Sequence, residues 1–313
     1  MPDLVSALGV REGLRGRHLL RVADWSPGEL ELVLDVAAEL EELQRRRQLH
    51  RLLEGRVLGL LFDKPSTRTR VSFEAGIAQL GGSAVFMTAE QLQLVRGEPL
   101  RDTAIVLGRY VDALAVRISA HEQVVTLADH SSVPVLNALT DVAHPCQALA
   151  DVQTLRERLG DLRGRTLAWV GDGNNVCASV LVAASRLGMH VVVATPPGYE
   201  PAATAVASAG GRVRLVEDPR VAVAGADAVY TDVWSSMGQE PDAERRRRDL
   251  EPYRLDASLL AAAAPGACVL HCLPARAGEE ITADVLYGPR SAVWDQAENR
   301  LHVQKALLTL VVD

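Results

Sequence analysis

Three hydroxyl side chains and one guanidinium occupy four consecutive positions, Ser66, Thr67, Arg68 and Thr69, within the stretch Phe62-Asp63-Lys64-Pro65-Ser66-Thr67-Arg68-Thr69-Arg70. The apolar run Val57-Leu58-Gly59-Leu60-Leu61 before it reads as a buried strand. After it, Val71, Ala75 and Ala78 form one apolar row and Phe73, Ile77 and Leu80 another, a helical period that Gly81-Gly82 stops. The cluster therefore sits where a helix begins. Free backbone N–H groups and the positive dipole end favour an anion there, and a guanidinium can hold phosphate through two parallel hydrogen bonds. An N-cap accounts for one hydroxyl but not for the cluster, so the pattern points to an anion site. It is not a phosphate loop of the G-x-x-x-x-G-K-[ST] type, which the sequence lacks.

Ligands of open α/β sheets bind beyond the carboxyl ends of strands, so polar residues at those ends are the candidates for chemistry. Arg117 ends the strand that starts at Asp112. Asp141-Val142-Ala143-His144-Pro145-Cys146-Gln147 follows Pro134-Val135-Leu136, and a helix starting near His144 puts His144 and Gln147 on one face. A lone His at a helix start is more often a cap or a packing residue. Beside Gln147 and an arginine it becomes a group that can polarise a carbonyl. Gly171-Asp172-Gly173-Asn174-Asn175 follows the strand from Thr166 to Val170 and invites a dinucleotide reading. Val176 stands where the third glycine belongs, and Thr195-Pro196 brings no acid for a ribose, so a nicotinamide site is disfavoured. Asp232-Val233-Trp234-Ser235-Ser236-Met237-Gly238 and His271-Cys272-Leu273-Pro274 end two later strands. Together these suit a zwitterion: Asp232 for an amine, Asn175 and backbone N–H groups for a carboxylate.

The elements that must position these groups alternate. Strands are predicted over 57–62, 83–87, 112–117, 133–136, 166–170, 190–194, 212–216, 227–231, 267–270 and 291–294, with helical stretches between. This predicts an α/β fold of parallel sheets with helices on both faces. One ten-stranded sheet is possible, but 313 residues fit two domains better. The hinge is placed in a helix from about His144 to Arg158, and a final helix runs from about Gln296 to Leu310. Ser26-Pro27-Gly28-Glu29 is a capping box opening an amphipathic helix. Glu244-Arg245-Arg246-Arg247-Arg248-Asp249, bracketed by acids, reads as a solvated helix face.

Acidic residues outnumber basic ones, 40 to 33, giving a net charge of −7 that offers no general attraction to nucleic acid or anionic membranes. The sequence shows no apolar stretch of membrane-spanning length and no signal-peptide core, and its four cysteines form no C-x-x-C pair. Reduced thiols and a cytoplasmic location are the expectation, with Cys268 and Cys272 read as core thiols rather than metal ligands.

Phe62-Asp63-Lys64-Pro65-Ser66-Thr67-Arg68-Thr69 and His144-Pro145-Cys146-Gln147 resemble the two signature segments of the aspartate/ornithine carbamoyltransferases. Asp232 to Gly238 and His271 to Pro274 resemble the ornithine branch, whose aspartate counterparts carry leucine in place of the cysteine and lack the Ser-Met-Gly element. The resemblance runs to Ala297-Glu298-Asn299-Arg300 and so covers nearly the whole chain. It implies transfer of a carbamoyl group from carbamoyl phosphate to the δ-amine of L-ornithine, giving L-citrulline and phosphate without metal, cofactor or covalent intermediate. It further implies a carbamoyl-phosphate domain over 1–150, an ornithine domain over 151–294, and a helix over 295–313 packing back on the first.

Residue by residue, the resemblance assigns Ser66, Thr67, Arg68 and Thr69 to the phosphate. Arg117 and His144 go to the carbonyl oxygen, with Arg68 bridging and Arg300 near the carbonyl, and Gln147 and the Leu273 carbonyl to the carbamoyl amide. Asn175, Asp232, Ser236 and the Met237 backbone would hold the amino-acid end of ornithine, and Cys272 would line the path of the δ-amine. Gln93, in Leu92-Gln93-Leu94-Val95-Arg96-Gly97-Glu98, matches a loop that reaches a neighbouring subunit's phosphate site, which implies a homotrimer with shared sites. The chain departs from the family at Cys177-Ala178-Ser179 and Arg276-Ala277-Gly278, and neither departure removes a residue assigned to substrate.

Overall fold

A computed structural model describes residues 13–235 and 242–313. The chain forms two compact units: residues up to Ala150 with Asn299–Asp313, and Asp151–Glu298.

In the first unit the elements run α1 (Pro27–Arg45), β1 (Val57–Phe62), α2 (Thr67–Gln79), β2 (Ser83–Thr88), α3 (Leu100–Leu107), β3 (Ala113–Arg117), α4 (His121–His130) and β4 (Val135–Leu139). The capping box forms at α1: Ser26 Oγ accepts from Glu29 N–H, the Ser26 N–H donates to the Glu29 carboxylate, and Pro27 occupies the first turn. The four strands lie parallel in the order β2-β1-β3-β4. The chain thus winds outward from β1 in one direction and from β3 in the other. The carboxyl ends of β1 and β3, paired at Phe62↔Arg117, flank this reversal, the usual place for a ligand crevice. Beneath them Leu61, Leu114, Val116, Val124, Leu127 and Val135 are buried together.

Of the two apolar rows anticipated on α2, only one faces the core. Phe73, Ile77 and Leu80 are buried, whereas Val71 is exposed. At Gly76 an added Cβ would lie 3.3 Å from Lys305 Cγ and 3.5 Å from Leu301 Cδ1, so the missing side chain lets the C-terminal helix pack closely on α2.

The second unit contains β5 (Thr166–Val170), α6 (Asn175–Arg186), β6 (His190–Ala194), α7 (Ala203–Ser208), β7 (Val213–Val216), α8 (Pro219–Val223), β8 (Ala228–Tyr230), α9 (Ala243–Leu250), α10 (Ala257–Leu260), β9 (Cys268–Leu270) and α11 (Ala283–Leu286). Its five parallel strands are ordered β7-β6-β5-β8-β9, which places the winding reversal between β5 and β8. Two helices cross between the units, α5 (Pro145–Leu159) and α12 (Val293–Val311).

The tenth anticipated strand, 291–294, is not a strand. Ser291 makes a single bridge to Val269, Ala292 N–H donates to the Val269 carbonyl, and α12 begins at Val293. Three apolar residues after Ser291 do not separate a strand from the head of a buried helix. The charge run at 244–249 is a helix with three exposed arginines, as expected, but Arg246 is only 9% exposed and is not part of a solvated face.

Candidate active site

The anion-binding cluster caps α2. Ser66 is its N-cap, and its Oγ accepts from Thr69 N–H and donates to Thr69 Oγ1 at 3.0 Å. Thr69 is buried, while Thr67 and Arg68 are exposed, so the guanidinium and the unbonded first-turn N–H groups present a positive end to an anion. Across the register, Asp63 N–H donates to the Arg117 carbonyl, and the Asp63 carboxylate accepts from Ser119 N–H at 2.6 Å. This fixes the backbone on either side of Arg117, whose side chain is buried.

His144 precedes α5, and its carbonyl accepts from Ala148 N–H, so it is the N-cap with Pro145 at the first helical position. The loop leading to it is built around Asn137 and Thr140. Asn137 Nδ2 donates to the Leu20 carbonyl at 2.9 Å, Thr140 Oγ1 accepts from Ala143 N–H, and Thr140 N–H donates to the Ala143 carbonyl. Sequence reasoning passed over both residues, although a polar Asn inside an apolar strand was the available signal. His144 is 4% exposed. Burial, then the charges of Arg300, Arg117 and Arg68, hold its imidazole well below the ordinary pKa of 6.5. At neutral pH it is a neutral ring that can donate one hydrogen bond, ringed by three guanidiniums.

Arg300, on α12, completes this group. Its Nη1 donates to Gln147 Oε1 at 2.6 Å and its Nη2 to Thr69 Oγ1 at 3.1 Å, with all three side chains buried. Cys146 lies beside them, donating to the Asn137 carbonyl, and burial pushes its thiol up to about 12. It is inert, not a nucleophile. Gln93 is exposed at the head of a short 3-10 turn, with its carbonyl accepting from Glu98 N–H.

In the second unit the winding reversal carries a different set. Asn174, rather than Asn175, is the N-cap of α6: its Oδ1 accepts from the Val176 and Cys177 N–H groups. Its Nδ2 donates to Asp232 Oδ2 at 2.8 Å, and the Cys272 thiol donates to Asp232 Oδ1 at 3.1 Å. Asn175 is the first helical residue and partly exposed. Gly173 is obligatory here, because a Cβ would lie 2.3 Å from Pro201 N and 2.5 Å from the Tyr199 carbonyl. Ser236 and Met237 lie outside the described residues.

His271 follows the end of β9. Its Nδ1 accepts from Leu273 N–H and its Nε2 donates to Glu280 at 3.0 Å, with both side chains fully buried. Leu273 has φ of 59° and a cis bond to Pro274. That left-handed backbone, costly for a branched residue by about 1–2 kcal/mol, is held by the bond to His271. Asp232, His271 and Cys272 offer ligand atoms within 4.8 Å of one another. Both imidazole nitrogens are already hydrogen-bonded, which leaves two donors, too few for a tetrahedral metal centre. Behind the site, Gln296 Nε2 donates to Asp151 and Tyr230, while its Oε1 accepts from His271 N–H.

The chemistry offered is thus of two kinds. The first unit collects a phosphate-type cradle beside neutral and cationic donors suited to an oxyanion. The second holds a buried carboxylate with an amide and a thiol against it, suited to an amine.

Comparison with known proteins agrees with this division. Residues 17–157 match the family model for the aspartate/ornithine carbamoyltransferase carbamoyl-P binding domain, and residues 163–311 that for the Asp/Orn binding domain. An ornithine carbamoyltransferase of Acidothermus cellulolyticus is 54% identical, over 95% of this chain and 97% of the relative. An anabolic one of Pseudomonas aeruginosa is 52% identical, over 95% and 97%. The solved ornithine carbamoyltransferase of Pyrococcus furiosus superposes with a TM-score of 0.93 at 50% identity, covering 96% of this chain and 98% of that one.

Proposed function

The chain belongs to the aspartate/ornithine carbamoyltransferase family, and we propose that within it this chain transfers the carbamoyl group of carbamoyl phosphate to the δ-amine of L-ornithine. The observation that carries the ornithine branch is the Asp232 carboxylate, buried and held by Asn174 and by the thiol of Cys272. A fixed anion there suits the α-amine of an amino acid, and Asn175, next in the chain after Asn174, takes the carboxylate.

In the first unit, Ser66, Thr67, Arg68 and Thr69 hold the phosphate at the start of α2, where a leaving dianion gains from the helix dipole. Arg117, His144 and Arg300 meet the carbonyl oxygen, so charge developing on it finds donors already in place. Gln147 Oε1, with one lone pair taken by Arg300, uses the other for the carbamoyl NH2. The δ-nitrogen forms its bond to the carbonyl carbon, the carbon–oxygen bond to phosphate breaks, and phosphate departs with the electron pair while nitrogen sheds a proton. Positioning and electrostatics supply the catalysis, and no metal is needed. Cys272 borders the approach of the amine.

The names of the relatives support a place in arginine biosynthesis. A homotrimer in which Gln93 serves a neighbouring site accords with the exposure of that residue. A cytoplasmic setting accords with four free cysteines, and no helix among the described residues is long and apolar enough to cross a membrane. The test is citrulline formation from carbamoyl phosphate and ornithine in the presence of EDTA, beside putrescine and acetylornithine as acceptors. Turnover with ornithine alone supports the reading; no citrulline, or preference for putrescine, overturns it.

A further inference from the structure

Arg246 lies in the middle of the charge run yet is buried, and everything it touches belongs to the amino-acid half of the site. Its Nε donates to the Trp234 carbonyl at 2.6 Å. Its Nη2 forms an ion pair with Asp172 Oδ2 at 2.5 Å, and its guanidinium stands over the Tyr199 ring at 4.9 Å from the centroid. The neighbouring arginines differ: Arg245, Arg247 and Arg248 pair with acids at the surface, where such contacts are worth little.

The three segments that meet on Arg246 are those that carry or brace the acceptor residues. Asp172 lies two residues before Asn174, and Trp234 two residues after Asp232. Tyr199 belongs to the segment against which Gly173 packs without room for a Cβ, its carbonyl accepting from Gly173 N–H at 2.8 Å. Tyr199 is tied back to α9 in turn, its hydroxyl donating to Asp249 at 3.0 Å. Asn174 and Asp232 are joined directly by one part-buried hydrogen bond, and Arg246 joins the same two strand ends with a planar, multidentate group.

We propose that Arg246 is a positioning residue for the acceptor amino acid: by bolting the segment after β5 to the segment after β8, it sets the spacing between Asn174–Asn175 and Asp232. This rests on the proposed function for the identity of the acceptor. The geometry of the bolt does not.

The test compares wild type with Arg246→Gln, Arg246→Lys and Asp172→Asn in steady-state kinetics and in amide hydrogen exchange of the substrate-free protein. Arg246→Gln is expected to raise KM for ornithine about ten- to a hundredfold with KM for carbamoyl phosphate within about twofold, since only acceptor binding depends on the bolt. Arg246→Lys, which retains the charge but not the fork, falls between, and Asp172→Asn shifts the same constant. Amide exchange in 171–175 and 231–235 accelerates in Arg246→Gln while that in α2 does not. Equal losses for both substrates, or unchanged exchange in those two segments, would overturn the inference. Inactive wild type with accelerated exchange in the variant would instead reject the proposed function and retain the bolt.

Discussion

Arg300 donates through its two terminal nitrogens to Gln147 and to Thr69, so one guanidinium joins the starts of α5 and α2. These partners are the side chains assigned to the carbamoyl amide and the phosphate. The arginine therefore holds two substrate contacts in register before any ligand arrives. Arg300→Met should lower kcat/KM for carbamoyl phosphate about a hundred- to a thousandfold, the scale of a lost preorganised donor. Initial rates at saturating ornithine check this. A loss under about threefold would remove Arg300 from the site.

His144 is held neutral by burial and by Arg300, Arg117 and Arg68. A neutral imidazole polarises by donating a hydrogen bond, and it has no proton to lose near its ordinary pKa of 6.5. With the pKa depressed, acidification through the usual histidine range does not charge this ring. The profile of kcat/KM for carbamoyl phosphate should therefore show no inflection that His144→Asn removes between pH values of about 6 and 7. His144→Asn should lower kcat about a hundredfold at every pH in that interval.

The parts of the site that follow strands were legible because two rules act together. Apolar runs located β1, β3, β5 and β8, and ligand residues follow the carboxyl ends of such strands. The order of strands was not legible. Only the structure shows that Ser66–Thr69 and Arg117 flank one reversal of winding, and Asn174 and Asp232 the other. The sequence does not say which of Asn174 and Asn175 caps α6, because the two differ by one helical position. Arg246 was hidden among four consecutive arginines, since a charge run does not disclose which member turns inward. Residues 291–294 do not distinguish a strand from a helix start, because Ala292, Val293 and Trp294 fit a short strand as well as the entry to α12.

The Asp232 carboxylate accepts from an amide on one oxygen and a thiol on the other. An asparagine in its place would set an NH2 against one of those donors and would remove the charge that attracts the α-amine. Asp232→Asn should raise KM for ornithine about a hundredfold and leave carbamoyl phosphate binding within about twofold. Calorimetric titration with carbamoyl phosphate provides the second half of the comparison. A loss of phosphate affinity equal to that of ornithine would refute the assigned role.

Lys305 is fully buried on α12, and its ammonium faces the Leu40 carbonyl at 3.5 Å, Gln44 Oε1 at 2.8 Å and His50 Nε2 at 3.3 Å. His50 bonds the Gln48 carbonyl through Nδ1, which places its proton there and leaves Nε2 to accept. Burial nevertheless lowers the lysine pKa from 10.5 to about 8, with Glu41 opposing. Below the folded value both states carry the proton, and the charge costs the fold roughly 3 kcal/mol. Above it the folded state sheds the proton first, so the penalty fades as pH rises toward 10.5. Urea unfolding of wild type and Lys305→Met at about pH 7.5 and about pH 9.5 should show wild type gaining about 2 kcal/mol relative to the variant over that interval. A constant difference would mean that the lysine does not titrate in this range.

Asp172, the acidic partner of Arg246, has its pKa raised to about 6 by burial and by Asp232, with Arg246 opposing. Its thiol neighbour Cys177 is pushed far up by burial and stays protonated, and Tyr199 beneath Arg246 is likewise raised, so neither titrates near this value. A raised carboxyl pKa means that the folded protein takes up the proton before the unfolded chain does. Acidification through about 6 thus adds stability from this group and subtracts nothing. What it removes is the ion pair at the back of the acceptor site. KM for ornithine should accordingly climb about tenfold as pH falls from about 7 to about 5, while the thermal midpoint loses nothing through Asp172. In Asp172→Asn the acid-dependent part of that climb should vanish, because the amide has no proton to gain. If the variant retains the full pH dependence, that dependence does not arise at Asp172, which then serves packing alone.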